Sequence, residues 1–137
     1  MSKGGEVFQP ETLRALRDPI LDKARGLPAS VYTSQTFYEL EHERLFPKTW
    51  MGIAFDSDVP NRGDAVPLTV QGLPLILVRD HDNNVRVLQN VCRHRATIVL
   101  DKPCEGLTNF KCPYHGWTYD LMGSLIATPF WDGTAGS

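Results

Sequence analysis

Two short segments, CRHRAT at 92–97 and CPYHGWTYD at 112–120, constrain this chain more than anything else in it, because each presents one cysteine and one histidine within a few residues. Written together they are Cys92-x-His94, then seventeen residues, then Cys112-x2-His115. A thiolate and an imidazole two or three positions apart on a tight loop can both point at one metal centre, so the two loops together supply four ligands. A mixed set of two sulfurs and two nitrogens suits either zinc or a [2Fe-2S] cluster in which both cysteines hold one iron and both histidines the other. Classical zinc fingers pair cysteine with cysteine and histidine with histidine, whereas each loop here carries one of each, and that interleaving favours the cluster.

The chain's third thiol needs its own explanation. Three cysteines cannot all pair with one another, and in a reducing compartment a cysteine near a histidine reads as a metal ligand before a disulfide. Cys104 lies between the loops at no ligand spacing and reads as a free thiol. The amino-terminal MSKGGEVFQPETLRALRDP has no apolar leader core, and nowhere does the sequence run to eighteen apolar residues, so no membrane span is expected and the expected home is the cytoplasm. With 14 basic and 16 acidic residues well mixed, nucleic acid is not an expected partner.

Along the 137 residues, a length suited to one domain, the texture changes once. Residues 1–46 form a helical lead-in. A short helical pattern through Leu13 and Leu16 is interrupted by Pro19 and closed by Gly26 and Pro28. A firmer helix is predicted over about Ser34 to Phe46, with Ser34 as its cap, Phe37, Leu40 and Leu45 on its apolar side, and Pro47 as its stop. Residues 47–137 read instead as short strands: Trp50 to Phe55, Ala65 to Val70, Leu73 to Arg79 and Val85 to Val91. Gln71-Gly72 and the DHDNN stretch at 80–84 have the residues that tight antiparallel connections require.

With these motifs on the page, the sequence resembles the large (alpha) subunit of Rieske non-haem iron ring-hydroxylating oxygenases. The resemblance covers roughly residues 30–132 and extends past CRHR and CPYHGW to FYELEHERLFPKTW, DVPNRGDAVPLTVQGLPLILVRD and TYDLMGSLIATP. It implies a mainly β, antiparallel Rieske sheet domain with a cluster-binding subdomain made by the loops 92–97 and 112–117. It also implies that Cys92 and Cys112 hold an inner iron of the [2Fe-2S] cluster, and His94 and His115 an outer iron nearer the surface. The sequence departs from the family at Ala96, where glycine is usual, and glycine takes positive φ at no cost while alanine does not. Pro113 stiffens the second loop and Gly116 allows close backbone approach. Arg93 and Arg95 read first as solvated loop charges, and Trp117 and Tyr119 as cover for the loops or as groups that tune the cluster. His42 and His81 read as surface residues.

Respiratory Rieske proteins add a cysteine on each loop, joined as a disulfide, and a serine two residues after the second histidine. This chain has Thr97, Tyr114 and Trp117 at those places and keeps Tyr119, which implies a potential at the low end of the Rieske range. In the implied family, electrons pass from a reductase, sometimes through a ferredoxin, to the Rieske cluster and on to a mononuclear non-haem Fe(II) that activates oxygen. That iron needs two histidines and a carboxylate. Once the cluster has taken His94 and His115, only His42 and His81 remain, so no catalytic residue is assigned and oxygenation is expected only with a catalytic domain or partner subunit outside these residues. The full-length protein is expected to be an oligomer. The chain is further expected to stop before the last strands of its sheet. A free-standing Rieske ferredoxin is the competing reading, and the helical lead-in weighs against it. A structural zinc module is a third.

Overall fold

The computed structural model describes residues 9–23 and 25–129, and the glycine-rich tail WDGTAGS of the sequence lies outside them. The chain divides into two compact units, one ending at Met51 and the other beginning at Gly52.

The first unit is helical. Helix α1 (Pro10–Leu16) starts on a proline, whose missing N–H costs nothing at a helix start, and carries Glu11 in its first turn. After α2 (Ala29–Thr33), Ser34 caps α3 (Gln35–Leu40) by accepting the Phe37 amide at 3.2 Å. The helical path runs on to Lys48 but changes character, widening to a π-helical turn at Glu41–Leu45 and tightening to a 3₁₀ turn at Phe46–Lys48. Pro47 accounts for the change. In an α-helix its ring would collide with the carbonyl four residues earlier, at Glu43, and it has no N–H to give. Within this stretch His42 bonds the Tyr38 hydroxyl through Nε2 at 2.8 Å and lies edge-on to Tyr38 and Phe46.

The predicted strand at Trp50 to Phe55 does not form: among the described residues the segment joins no ladder, and Trp50 and Phe55 are exposed. Its alternating Met51, Ile53 and Phe55 suit a pleat, but strand preference is realised only against a partner. The boundary between the two units falls inside it.

The second unit holds two three-stranded antiparallel sheets. The first is β1 (Ala65–Val70), β2 (Leu73–Arg79) and β3 (Val85–Gln89), in that order. Gln71 and Gly72, both at positive φ (54° and 77°), make the two-residue reversal that matches strand twist. Between β2 and β3, Asp80 folds the chain back on itself by accepting the Asp82 and Asn84 amides at 2.9 and 2.8 Å. Burial opposes the charge on Asp80. The Asn84 amide and the Arg86 guanidinium outweigh it and hold the carboxyl below its ordinary range. The second sheet is β4 (Phe110–Lys111), β5 (Thr118–Tyr119) and β6 (Leu125–Ala127). Asp120 repeats the same device there, accepting the Met122 and Ser124 amides at 2.9 and 2.8 Å.

One apolar core joins the sheets: Ala65, Ile76 and Val78 from the first, Phe110 and Tyr119 from the second, with Leu100 and Leu121. Cys92 and Cys112 belong to this core. Two reciprocal backbone bonds between Ala65 and Cys104 (2.8 and 2.9 Å) anchor the segment between the two loops. Gly63, at φ 84°, lies so close to this segment that a Cβ would sit 2.5 Å from the Leu107 carbonyl oxygen. Arg79 ties the preceding loop to β2, donating through Nε to the Val59 carbonyl at 2.6 Å and through Nη2 to the Asp56 carboxylate at 2.7 Å.

Candidate metal centre

The two cysteine–histidine segments fold into loops with one hydrogen-bond scheme. In the first, the Ala96 amide donates to the Cys92 carbonyl at 2.9 Å and the Cys92 amide to the Thr97 carbonyl at 2.8 Å. In the second, the Gly116 amide donates to the Cys112 carbonyl at 3.0 Å and the Cys112 amide to the Trp117 carbonyl at 2.8 Å. Each loop closes through a residue at positive φ, Ala96 at 54° and Gly116 at 73°. Ala96 therefore adopts the left-handed conformation that glycine takes without a Cβ penalty. The loops leave the core in different ways. The second is held at its base by the pairing of Lys111 with Thr118. The first follows β3, which stops at Gln89 rather than Val91, because Asn90 turns inward. Its buried side chain accepts the Val99 and Leu100 amides at 3.0 and 2.8 Å and donates to the Leu100 carbonyl at 2.6 Å. Asn90 thus ties the two ends of the first loop together.

This framework sets the side chains predicted as ligands in two pairs, Cys92 with Cys112 and His94 with His115. Cys92 and Cys112 are buried, and the Cys112 thiol is among the groups that support charge on Cys92. His94 and His115 meet with ring centroids 4.7 Å apart, His94 exposed and His115 half-buried. Among the described residues no three histidine, cysteine or carboxylate side chains gather for one ion.

Two further observations test the fit of a [2Fe-2S] cluster. Nδ1 of His115 is buried with no hydrogen-bond partner among the described residues. Such a buried nitrogen is costly unless something uses its lone pair, and a metal ion does so. Burial, then the neighbouring His94 and Arg95, push this imidazole's pKa down, which favours the neutral ring that binds metal. The sulfur side fits equally well. Burial raises the Cys92 pKa, but the Tyr119 hydroxyl, the His94 amide, the Cys112 thiol and the Arg95 amide outweigh it, leaving the thiol more acidic than usual. The Tyr119 hydroxyl stands 3.3 Å from Cys92 Sγ and accepts the Arg93 amide at 3.0 Å, so its own proton is free for the sulfur. Burial and the Cys92 contact raise the Tyr119 pKa.

Aromatic side chains of the second loop cover both imidazoles. The Trp117 indole stacks on His94 at 4.9 Å with 8° between planes, and Tyr114 lies against His115 at 3.7 Å. Cys104 is half-buried and directs its thiol to the Lys102 carbonyl at 3.6 Å, and His81 lies beside the Thr108 carbonyl at 3.3 Å. Sequence reading missed Asn90. Its only local signal is a polar residue at the end of a strand that leads directly into a ligand loop.

Comparison with known proteins agrees with this geometry. The Rieske [2Fe-2S] domain family matches residues 49–135. The alpha subunit of biphenyl dioxygenase from Metapseudomonas furukawaii is 36% identical over 124 residues, which are 90% of this chain and 26% of that subunit. The alpha subunit of benzene 1,2-dioxygenase from Pseudomonas putida is 32% identical over 82% of this chain and 25% of its own length. Among solved structures, naphthalene 1,2-dioxygenase from Rhodococcus sp. bound to indole superposes with a TM-score of 0.72 at 33% identity, covering 87% of this chain and 27% of that one. The quaternary ammonium Rieske monooxygenase CntA with gamma-butyrobetaine gives 0.69 at 32% identity, over 80% of this chain and 32% of that one. The chain spans about a quarter of the length of these curated relatives.

Proposed function

The chain belongs to the Rieske [2Fe-2S] domain family, and on that premise we propose that it passes single electrons through a cluster held by Cys92 and Cys112 on one iron and His94 and His115 on the other. The observation that carries this reading is the buried Nδ1 of His115, without a hydrogen-bond partner among the described residues and set beside a second imidazole. When bound, the cluster supplies reversible one-electron chemistry. Cys92 and Cys112 hold the inner side within the apolar core, and exposed His94 offers the side from which an electron partner approaches. The Tyr119 hydroxyl donates to the Cys92 sulfur, which favours the more negative reduced state. With Trp117 where respiratory proteins carry a serine hydroxyl, the midpoint should lie near about -150 mV.

For the protein as a whole, this chain is read as the Rieske portion of a ring-hydroxylating oxygenase large subunit. Its donor would be a reductase or a ferredoxin, and its acceptor a mononuclear iron in a catalytic domain or partner subunit of an oligomer. Cys92 and Cys112 as ligands and Cys104 as a thiol, with no disulfide among them, fit a cytoplasmic setting. No helix among the described residues is long and apolar enough to cross a membrane. The purified protein should be brown, contain about two irons per chain, and give on reduction the low-average-g EPR signal of a mixed-ligand cluster. A colourless protein with one zinc per chain would overturn this.

A further inference from the structure

We propose that Trp117 is the positioning residue of His94: its indole, carried by the second loop, fixes the plane of the imidazole carried by the first. This rests on the cluster reading above and adds what orients one of its nitrogen ligands. The two rings stack at 4.9 Å with 8° between their planes, and among the described residues the one other ring against His94 is that of His115, at 65°. The first loop offers His94 no such support, because the residues between Cys92 and Thr97 are otherwise Arg93, Arg95 and Ala96. Among the described residues the His94 ring makes no hydrogen bond, so its orientation depends on aromatic contact.

The indole stands on a fixed base. The Trp117 carbonyl accepts the Cys112 amide at 2.8 Å, Thr118 beside it pairs with Lys111 between β5 and β4, and the indole packs against the apolar core. The same stretch holds the first loop a second time, since the Tyr119 hydroxyl accepts the Arg93 amide at 3.0 Å. Residues 117–119 thus hold both the backbone before His94 and the His94 ring. All of these contacts lie within the chain's own second unit. A histidine ligand is ordinarily oriented by a hydrogen bond from its other ring nitrogen. Here a face of the ring is fixed instead, which removes side-chain freedom before a metal is bound. A ring held in one plane also needs no reorientation as a single electron comes and goes.

The test compares the cluster-loaded chain with its variants Trp117→Phe, Trp117→Leu and Trp117→Ala. Phenylalanine keeps a stacking face, leucine keeps apolar bulk for the core without one, and alanine keeps neither. Pulsed EPR of the reduced cluster reads the nitrogen couplings of the two histidines, and a chelator reads the rate of iron release. One nitrogen coupling should spread or shift in Trp117→Leu and Trp117→Ala while the other stays, and iron release should quicken about three- to tenfold in both. Trp117→Phe should keep the unmodified couplings and a release rate within about twofold. A Trp117→Leu variant that matches Trp117→Phe in both readouts would overturn the proposal and leave the indole as packing. A Trp117→Phe variant as altered as Trp117→Leu, or equally unable to load its cluster, would also overturn it. Loading lost in Trp117→Leu and Trp117→Ala but kept in Trp117→Phe supports it in stronger form. An unmodified chain with no Rieske EPR signal would overturn this proposal and the cluster reading together, whereas an intact signal with equal leucine and phenylalanine variants removes the positioning role only.

Discussion

The two ligand loops share a backbone and little else. Both place a cysteine in the core, close a six-residue turn through the same pair of hydrogen bonds, and pass through one left-handed residue. The first loop fills its remaining positions with Arg93, Arg95 and Thr97, and the second with Pro113, Tyr114 and Trp117. The histidine is third in one loop and fourth in the other, yet the two rings meet. Geometry for metal binding therefore resides in the repeated backbone scheme, and the side chains divide the remaining work between charge on one loop and aromatic cover on the other. The supports differ too. Strand pairing secures the second loop, while a single asparagine side chain clamps the first.

The largest effect should come from removing a ligand, and here the comparison predicts equality. His94→Ala and His115→Ala should each abolish the mixed-ligand EPR signal, because half a nitrogen pair cannot complete the outer iron. A signal that survives in one variant but not the other would break the proposed equivalence of the loops. Next in size is Asn90→Ala, which strikes the first loop alone. It strands the half-buried Val99 amide and the buried Leu100 amide and carbonyl, and should cost about 2–3 kcal/mol, read as a lower denaturation midpoint at unchanged slope. Hydrogen exchange should rise at Val99 and Leu100 before it rises at Phe110 and Tyr119.

How much of this was legible in the sequence follows from the range of each interaction. The loops, the turn at Gln71-Gly72 and the strands from Ala65 to Val70 and Leu73 to Arg79 are set by neighbours in the chain, and they stand where the residues predicted them. Trp50 to Phe55 has the local pattern of a strand and lacks the partner, which no local pattern reveals. The Asn90 clamp spans ten residues and the Tyr119 contact with Cys92 twenty-seven, so both depend on how the chain returns on itself. Of Trp117, the sequence offered two roles without deciding between them. The stacking on His94 shows that it covers the imidazole of the opposite loop.

A smaller effect comes from the left-handed position of the second loop. Gly116→Ala puts a Cβ 3.3 Å from the Pro129 ring and 3.4 Å from Lys111 Cε, both side-chain atoms that can shift. Backbone strain therefore dominates, and the expected loss is about 1–1.5 kcal/mol. A loss several times larger would show that the second loop also needs the space itself, for close approach to the cluster.

The smallest effect, and the one that most sharpens the comparison, is the reciprocal change, Ala96→Gly. Ala96 sits at φ 54° and is exposed, so its Cβ gains little from packing while its backbone bears the left-handed cost. Glycine removes a penalty of about 1–2 kcal/mol. It also frees the unfolded chain by about 0.4–1 kcal/mol, which acts in the opposite sense. The net expectation is a gain of about 0.5–1 kcal/mol by chemical denaturation, with the EPR signal unchanged. The double variant Ala96→Gly/Gly116→Ala, which moves the glycine from one loop to the other, should match the sum of the single changes within about 0.5 kcal/mol if the loops are independent turns. A larger departure would mean that strain in one loop is transmitted to the other through the stacked His94 and Trp117. A loss of stability in Ala96→Gly alone would mean that the alanine methyl contributes packing to the first loop that outweighs its backbone cost.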